Sequence, residues 1–434
     1  MSEWKEIQCR HTGEKCYFLQ HASGLPIYVW PKAGYASAYA VFAAKYGSID
    51  TAYVCADTNE VIELPAGIAH YLEHKLFENE DCDAFERYAK TGASANAYTS
   101  FDQTAYLFSC TRGLSESLEI LLDFVQKPYF TEKTVEKERG IIGQEIRMCE
   151  DSPARAVFCN LLEGLYHTHP VRIDIAGTVE SIAEITPELL YGCYHRFYNL
   201  HNMVLSVAGN VTCEQVEELA DRLLVPTQPY THKRAPVNEP PTAYRARTEV
   251  SMPVSETLFY LGYKVPQSTE NGLSEASAEE LAAAAVLQEL LGGRANPLYA
   301  RLMSEGLINA SFGIEYFDGP GYGVWIIGGE SKDPDAVCEA FRKERERMDR
   351  EGVSAEEFDT AKKAVYGQMI SHLDNVEGCG DMAVDAHFSG RKPFDLLDAV
   401  ANLERKAVQK RLREDFSEAA ASVSIVNPIM RGEE

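Results

Sequence analysis

Two similar short segments lie in corresponding positions of the two halves of this chain. Residues 143–146 read Gly-Gln-Glu-Ile and residues 367–370 read Gly-Gln-Met-Ile, each within a stretch of helical spacing. Prolines are dense at 226–245, which is typical of an extended linker. The 434 residues, 45% of them hydrophobic, suffice for more than one core. We therefore expect two related α/β domains, at 1–225 and 246–434, joined by that linker.

Local patterns indicate helices and strands in both halves. A helix is predicted at 279–291, and the charged run at 343–351 reads as the solvated face of another helix. Strands are predicted at 24–29, 38–42, 95–109, 203–208, 257–263, 311–317 and 323–328. The expected fold class is α+β.

The first half contains the sequence His-Tyr-Leu-Glu-His at residues 70–74. Apolar residues around it recur at helical spacing, so His70 and His74 lie on one face of a helix, where both can reach one metal ion. Glu73 is offset to one side, which suits a base better than a ligand. His-x-x-Glu-His is a known zinc-binding signature. The alternative is a helix with two histidines that bind no metal.

A catalytic zinc site needs a third protein ligand and an open position for water. The segment 131–148 begins with a capping-box pattern and continues with helical spacing, and it places Glu138 and Glu145 two turns apart on one face. Isoleucines at 141, 142 and 146 are expected to draw Glu145 into the core, where a carboxylate needs a cation. Glu138 would lie farther from the ion and orient Glu73, His70 or the substrate. The alternative places Glu145 at the solvent boundary.

These motifs, in this order, resemble the pitrilysin/insulinase family of zinc metallopeptidases, which includes the mitochondrial processing peptidase and small bacterial insulinase-like peptidases. The resemblance covers most of the first half. It rests on His-Tyr-Leu-Glu-His, Glu138-Arg139 with Gln144-Glu145, Gly-Ala-Ser-Ala-Asn-Ala-Tyr-Thr at 92–99, Phe197-Tyr198, Asn-Met-Val-Leu at 202–205, and Gly209-Asn210.

The resemblance implies a set of site residues. His70, His74 and Glu145 would bind Zn²⁺, Glu73 would be the general base, and Glu138 would be an auxiliary glutamate of the catalytic site. It also implies a duplicated fold, in which each half is a mixed, mainly antiparallel sheet packed with helices.

The second half lacks the metal-binding residues of the first. Met369 stands at the position that corresponds to Glu145, and the predicted helix at 279–291 contains no histidine. We therefore expect 1–225 to be the catalytic zinc-binding domain and 246–434 to be a homologous non-catalytic domain.

The family also implies an arginine and a tyrosine from the second half that assist the reaction. The corresponding positions here are Met303 and Asn309, although Arg301 or Tyr322 could substitute. This departure leads to the hypothesis that the chain forms a homodimer, or a heterodimer with a non-catalytic paralogue, and that the partner supplies the missing groups.

A substrate-binding strand is predicted within 94–109. An edge strand can bind an extended peptide through backbone hydrogen bonds that do not read its sequence. In the family, the positions of Asn96 and Ala97 lie on such a strand, so both are expected to bind substrate. Taken alone, Asn96 reads as a turn or bulge residue.

The expected function is a zinc-dependent endopeptidase that cleaves short or unfolded peptides. Zinc would acidify a water molecule and polarise the scissile carbonyl, while Glu73 would accept the proton of the water. The alternative is a peptidase-derived scaffold or assembly protein with a structural metal site. A retained Glu73 favours the enzyme, because a structural metal needs no base.

Composition narrows the remaining possibilities. A net charge of −25 argues against nucleic acid as a partner and is compatible with basic peptides, although solubility alone explains such a charge. There is no apolar run long enough for a membrane span and no targeting signal in the charged N-terminal residues. The 11 cysteines show no paired pattern and read as reduced thiols. A cytoplasmic protein is expected.

Two further motifs are interpreted as structural. His167 and His169 have a spacing that could bind metal, but an isolated His-x-His is more often part of a loop. The glycine-rich residues 319–323 lack the lysine of a phosphate-binding loop and are flanked by predicted strands, so a hairpin turn is expected.

Overall fold

The computed structural model describes residues 3–54, 60–229, 234, 237–265, 276–294 and 296–429, so that 230–233 and 235–236 of the predicted linker lie outside the described residues. The strands are β1 (Lys5–Gln8), β2 (Lys15–Gln20), β3 (Pro26–Pro31), β4 (Ala38–Ala44), β5 (Ala52–Val54), β6 (Val61–Glu63), β7 (Ser94–Thr99), β8 (Thr104–Cys110), β9 (Met203–Gly209), β10 (Arg247–Met252), β11 (Thr257–Lys264), β12 (Gly313–Gly319), β13 (Tyr322–Ser331) and β14 (Ala421–Pro428). The helices are α1 (Ile68–Leu76), α2 (Ala84–Thr91), α3 (Leu114–Phe124), α4 (Glu132–Glu150), α5 (Pro153–Leu165), α6 (Val179–Ala183), α7 (Pro187–Phe197), α8 (Cys213–Leu223), α9 (Ala278–Gly292), α10 (Pro297–Ser304), α11 (Pro334–Glu351), α12 (Ala355–His372), α13 (Val376–Phe388), α14 (Asp395–Asn402) and α15 (Arg405–Glu414).

The chain forms two compact units that interleave along the sequence. The first unit comprises Met1–Ile146, Asp174–Arg234 and Met369–Phe394, and the second comprises Arg147–Ile173, Ala235–Gln368 and Asp395–Glu434. The first unit thus includes α13 from late in the chain, and the second includes α5 from early in the chain. The prediction of related domains at 1–225 and 246–434, joined by a linker at 226–245, stays a prediction.

The first unit is built on a seven-stranded sheet with the order β1-β2-β3-β9-β4-β8-β7. Only the pair β3 and β9 is parallel; the other neighbours are antiparallel. The central strands β4 and β9 are buried along their whole length, which explains their nearly continuous apolar sequences. One face of this sheet packs on a core that includes residues of α1, α3 and α4, and α13 packs on β4 and β9.

The second unit is built on a five-stranded sheet with the order β10-β14-β11-β13-β12. The pair β10 and β14 is parallel, and the remaining pairs are antiparallel. Helix α5 packs on β11 and β14, and α9 packs on β12. A capping box between Ser277 and Glu280 begins α9. The expected α+β class, with mixed and mainly antiparallel sheets, is confirmed.

Most predicted strands coincide with observed ones. Residues 38–42, 203–208, 257–263 and 323–328 lie within β4, β9, β11 and β13, while β3 and β12 each begin two residues later than predicted. The single strand predicted at 95–109 is wrong, because a turn divides it into β7 and β8. In that turn, Ser100 Oγ accepts the backbone N–H groups of Asp102 and Gln103. The strands β1, β2, β5, β6, β10 and β14 were not predicted.

Within the described residues, no helix combines the length and the hydrophobicity that crossing a bilayer requires.

Candidate metal centre

The helix that carries the His-Tyr-Leu-Glu-His motif is α1. Its N-cap residue Gly67 has a φ of 90°, a left-handed conformation that favours glycine. A Cβ atom at Gly67 would lie 2.3 Å from the carbonyl oxygen of Ala176, so glycine is required there on two grounds. The buried residues Ile68, Leu72 and Leu76 fix the opposite face of α1 in the core. The predicted helix is confirmed.

The structure brings His70, His74 and Glu145 together. Nε2 of His70 lies 3.5 Å from Oε1 of Glu145, and Nε2 of His74 lies 3.5 Å from Oε2 of the same carboxylate. One potential ligand atom from each residue lies within 4.8 Å of the others. Among the described residues, this is the one group of three or more histidine, cysteine or acidic side chains with such spacing.

The two separations from Glu145 fit a tetrahedral metal better than hydrogen bonds. A distance of 3.5 Å exceeds the usual length of an N–H···O hydrogen bond. Ligand atoms about 2.0–2.2 Å from one ion at tetrahedral angles lie about 3.3–3.6 Å from each other. Two imidazoles and one carboxylate are also a common ligand set of catalytic zinc. The three side chains therefore fit a zinc ion.

Helix α4 supplies the glutamates. It begins after Thr131, where the backbone N–H of each of Thr131 and Thr134 donates to the side-chain hydroxyl of the other. This reciprocal cap confirms the predicted helix start.

The predicted burial of Glu145 by three isoleucines is wrong in part. Ile142 and Ile146 are buried, but Ile141 is 47% exposed and the side chain of Glu145 is 38% exposed. The helix turns Ile141 away from the core. Glu145 therefore lies at the solvent boundary, while the side chain of Glu138, 12% exposed, is the more buried of the two carboxylates.

Glu138 was expected to orient Glu73 or His70 among the protein side chains, but it contacts His74, at the ring nitrogen that faces away from Glu145. Nδ1 of His74 lies 3.0 Å from Oε1 of Glu138. Because an ionised carboxylate only accepts hydrogen bonds, Nδ1 carries the proton, and in the neutral ring Nε2 keeps its lone pair for a metal. Burial acts to lower the pKa of His74, but the hydrogen bond to Glu138 and the charges of neighbouring glutamates outweigh it, so the pKa is raised.

His70 has no such support. Its Nδ1 atom is buried and has no hydrogen-bond partner among the described residues. The ring packs edge-on against His74, with centroids 4.6 Å apart. The tautomer of one histidine is thus set by Glu138, while that of the other is not set by a side chain.

Glu73 points toward the sheet. Its side chain is buried, with 8% exposure, and Oε2 accepts a hydrogen bond of 2.7 Å from Oγ1 of Thr99. No role was predicted for Thr99. A threonine at the end of a strand carries no distinctive signal, and only its place at the end of the 92–99 motif could have drawn attention to it.

Asn96 and Ala97 lie on β7, which is an edge strand of the seven-stranded sheet. The predicted edge position of this segment is therefore confirmed. The backbone N–H of Ala97 donates to Oδ1 of Asn96 at 2.9 Å, so it faces away from β8. Neither residue belongs to the His70, His74 and Glu145 group. Their contact with substrate stays a prediction.

In the second unit, the positions where the family implies an arginine and a tyrosine have other environments. Met303 is 39% exposed on α10. The side chain of Asn309 donates a hydrogen bond to Glu330. Arg301 is exposed, and Tyr322 is buried at 2% exposure.

The predicted hairpin turn is confirmed, and both ring nitrogens of His169 make hydrogen bonds within the fold. Nδ1 of His169 accepts the backbone N–H of Val171 at 3.1 Å, and Nε2 donates to the carbonyl of Pro320 at 3.1 Å. His169 is therefore a buried loop residue. Gly319 pairs with Tyr322 at the end of β12 and β13, so the glycine-rich segment is a hairpin turn.

Comparisons with known proteins agree with the geometry. Residues 60–179 match the model of the insulinase family, peptidase family M16, and residues 184–365 match that of the peptidase M16 inactive domain. The chain is 39% identical over 428 residues to the uncharacterized zinc protease YmfH of Bacillus subtilis, covering 98% of this chain and 99% of the relative. It is 30% identical over 161 residues to the mitochondrial-processing peptidase subunit beta of Caenorhabditis elegans, covering 36% of this chain and 35% of the relative.

A solved structure extends the similarity to the whole fold. The crystal structure of an M16-like peptidase from Alicyclobacillus acidocaldarius superposes with a TM-score of 0.88 at 33% identity, covering 99% of both chains. A full-length relative at this level of identity, two family models in sequence order and a shared fold lead to one conclusion: the chain belongs to the insulinase family of peptidases, family M16.

Proposed function

We propose that this protein is a zinc-dependent endopeptidase that cleaves short or unfolded peptides. The observation that carries the proposal is the geometry of α1, which holds two histidines at a candidate metal position and a buried glutamate beside them. A site kept only for structure would need the ligands and not Glu73. The catalytic site would lie in the first half, 1–225, and none in the second, 246–434.

His70, His74 and Glu145 would hold the ion. When bound, zinc supplies a Lewis acid that acidifies water and polarises a carbonyl group. Glu138 would fix the tautomer of His74, so that Nε2 stays available as a ligand.

Glu73 would act as the general base and then as the acid. Its carboxylate would accept a proton from the attacking water and deliver it to the leaving amine nitrogen. Such assistance is typically worth about 10²–10⁴-fold in rate. The burial of Glu73 limits competing contacts with bulk water.

The edge strand β7 would bind the main chain of the peptide, with contacts from Asn96 and Ala97. Backbone pairing at an edge requires an extended, unfolded substrate and reads little of its sequence. This supports a preference for short or unfolded peptides over folded proteins.

A digest of a peptide library tests the proposal. Wild type and Glu73→Gln, loaded to the same zinc content, would be incubated with the library and analysed by mass spectrometry. We expect zinc-dependent cleavage by wild type only. Silence of both proteins, with and without candidate partners, would favour the scaffold function instead.

We also propose that a second chain completes the site, either another copy or a non-catalytic paralogue. Met303 and Asn309 stand where the family implies an arginine and a tyrosine, and one relative is named as the beta subunit of a peptidase. Cleavage by the wild type alone would be compared with cleavage after coexpression with its zinc-less paralogue. If the wild-type chain alone is a monomer and cleaves peptides as fast as the coexpressed pair, no second chain is needed and this proposal is refuted.

A further inference from the structure

The carboxylate of Glu73 is held by the strand beside it. The hydroxyl of Thr99 donates to Oε2 of Glu73 at 2.7 Å, and among the described residues this is the one side-chain hydrogen bond that the carboxylate makes. Burial, and to a smaller extent the charge of Glu73, raises the pKa of Tyr106 and of Tyr198, but the hydrogen bond that their two hydroxyl groups share, at 2.9 Å, does not involve Glu73. Orientation of Glu73 therefore depends on Thr99.

Thr99 is itself firmly placed. It is the last residue of β7 and pairs with Thr104 of β8. Thr104 is fully buried and donates to the carbonyl of Tyr46 at 2.8 Å. Because threonine is β-branched, its side chain has few rotamers to sample on such a strand. The hydroxyl is thus a fixed donor.

We propose that Thr99 is a positioning residue for the reaction, which orients the base Glu73 and couples it to the substrate-binding strand. This inference rests on the proposed function. A free glutamate side chain has several rotamers, and a charge-assisted hydrogen bond to one oxygen selects among them. With Oε2 bound to Thr99, Oε1 is left to accept the proton of water. The same strand, β7, would bind the peptide, so one strand would position both the base and the peptide.

This role differs measurably from a role in peptide binding. Loss of the hydroxyl misplaces the base without removing a contact to the peptide, so kcat falls and KM changes little. Loss of a peptide contact would instead raise KM. Thr99→Val keeps the shape of the side chain and removes only the donor, whereas Thr99→Ser keeps the donor.

Steady-state kinetics of the zinc-loaded, full-length variants test the proposal. We expect Thr99→Val to lower kcat about 10–100-fold, with KM within about threefold of wild type, and Thr99→Ser to retain kcat within about threefold. Zinc content and the melting temperature of each variant would be measured alongside. A Thr99→Val variant with the kcat of wild type, or one whose loss appears mainly in KM, would overturn the proposal.

A second measurement separates this inference from the proposed function. In the Glu73→Gln background, adding Thr99→Val should cause no further loss of rate and no change in peptide binding measured by fluorescence anisotropy. If Glu73→Gln is itself as active as wild type, the proposed function fails. If Glu73→Gln is inactive while Thr99→Val is fully active, only the role of Thr99 fails.

Discussion

Nδ1 of His74 lies 3.0 Å from Oε1 of Glu138, while the other ring nitrogen faces Glu145. The two glutamates are two turns apart on α4, and one imidazole lies between them. Glu138 can thus orient His74 without occupying the candidate metal position. Hydrogen-bond partners of this kind tune metal ligands, and their loss typically costs 10–100-fold in affinity or activity.

Glu138→Gln is therefore expected to weaken zinc binding by about 10–100-fold, because the amide no longer offers a charged acceptor to Nδ1–H. Competition with a zinc chelator measures the affinity directly. Glu136→Gln is the matched control, since Glu136 lies on the same helix and its side chain is 71% exposed. If Glu138→Gln and wild type bind zinc with equal affinity, Glu138 has no role in metal binding.

Asn96→Ala is expected to raise KM for peptides about tenfold and to leave kcat within about threefold, because one hydrogen bond to the peptide main chain is lost. Ser94→Ala provides a comparison, as Ser94 is exposed on the same strand. An unchanged or lower KM for Asn96→Ala would mean that the Asn96 side chain only accepts a hydrogen bond from the N–H of Ala97 and does not bind substrate.

Gly67→Ala is expected to destabilise the protein by about 1–3 kcal/mol, because the new Cβ meets the carbonyl of Ala176 and the left-handed backbone is strained. Gly140→Ala is the opposite control. Gly140 lies within α4 and an added Cβ would meet nothing within 4 Å, so alanine should stabilise by about 0.5–1 kcal/mol. Urea unfolding measures both changes, and equal stability of the two variants would contradict the assignment of the α1 N-terminus.

Glu239 should contribute to stability in a pH-dependent way. Its carboxylate accepts the backbone N–H groups of residues 167–169 at 2.8–2.9 Å and contacts the buried Lys264 at 2.8 Å. Burial acts to raise the pKa of Glu239, but these donors lower it to about 2. Burial also lowers the pKa of Lys264 despite its contact with Glu239, so the backbone donors are the main source of stabilisation.

A lowered pKa stabilises the folded state above the unfolded value and loses this effect as the pH falls. Glu239→Gln is therefore expected to cost about 2 kcal/mol at pH 7, and the difference from wild type should shrink between about pH 4.5 and about pH 2. Unfolding curves across this range measure it, with the exposed Glu339→Gln as control. A difference that does not depend on pH would contradict the assignment.

The sequence pattern was sufficient for the helix of the candidate metal site and for most central strands. Both depend on local apolar patterns, which are helical spacing in α1 and a nearly continuous apolar run in β9. The burial of Glu145 was misjudged because Ile141 is close in sequence to Ile142 and Ile146, which are buried. Helical spacing alone does not show which face of α4 contacts the core, and Ile141 lies outside that face. The inclusion of α13 in the first unit depends on contacts between distant parts of the chain that no local pattern records.

Single polar contacts were also beyond sequence reasoning. Thr99 resembles any strand threonine until its hydroxyl is seen on Glu73. Glu239 lies in the proline-rich segment that was interpreted as a linker, yet it binds three consecutive backbone N–H groups. Both contacts join residues far apart in the sequence, so only the folded chain reveals them.

The most direct test of the account is the single-turnover rate of peptide cleavage by wild type and Glu73→Gln at equal, measured zinc occupancy. The substitution keeps the shape of the side chain and removes its ability to accept a proton. If Glu73 is the general base of a zinc peptidase, the rate should fall by about 10²–10⁴-fold while the amount of bound zinc is unchanged. Equal rates at equal zinc content would contradict the central claim.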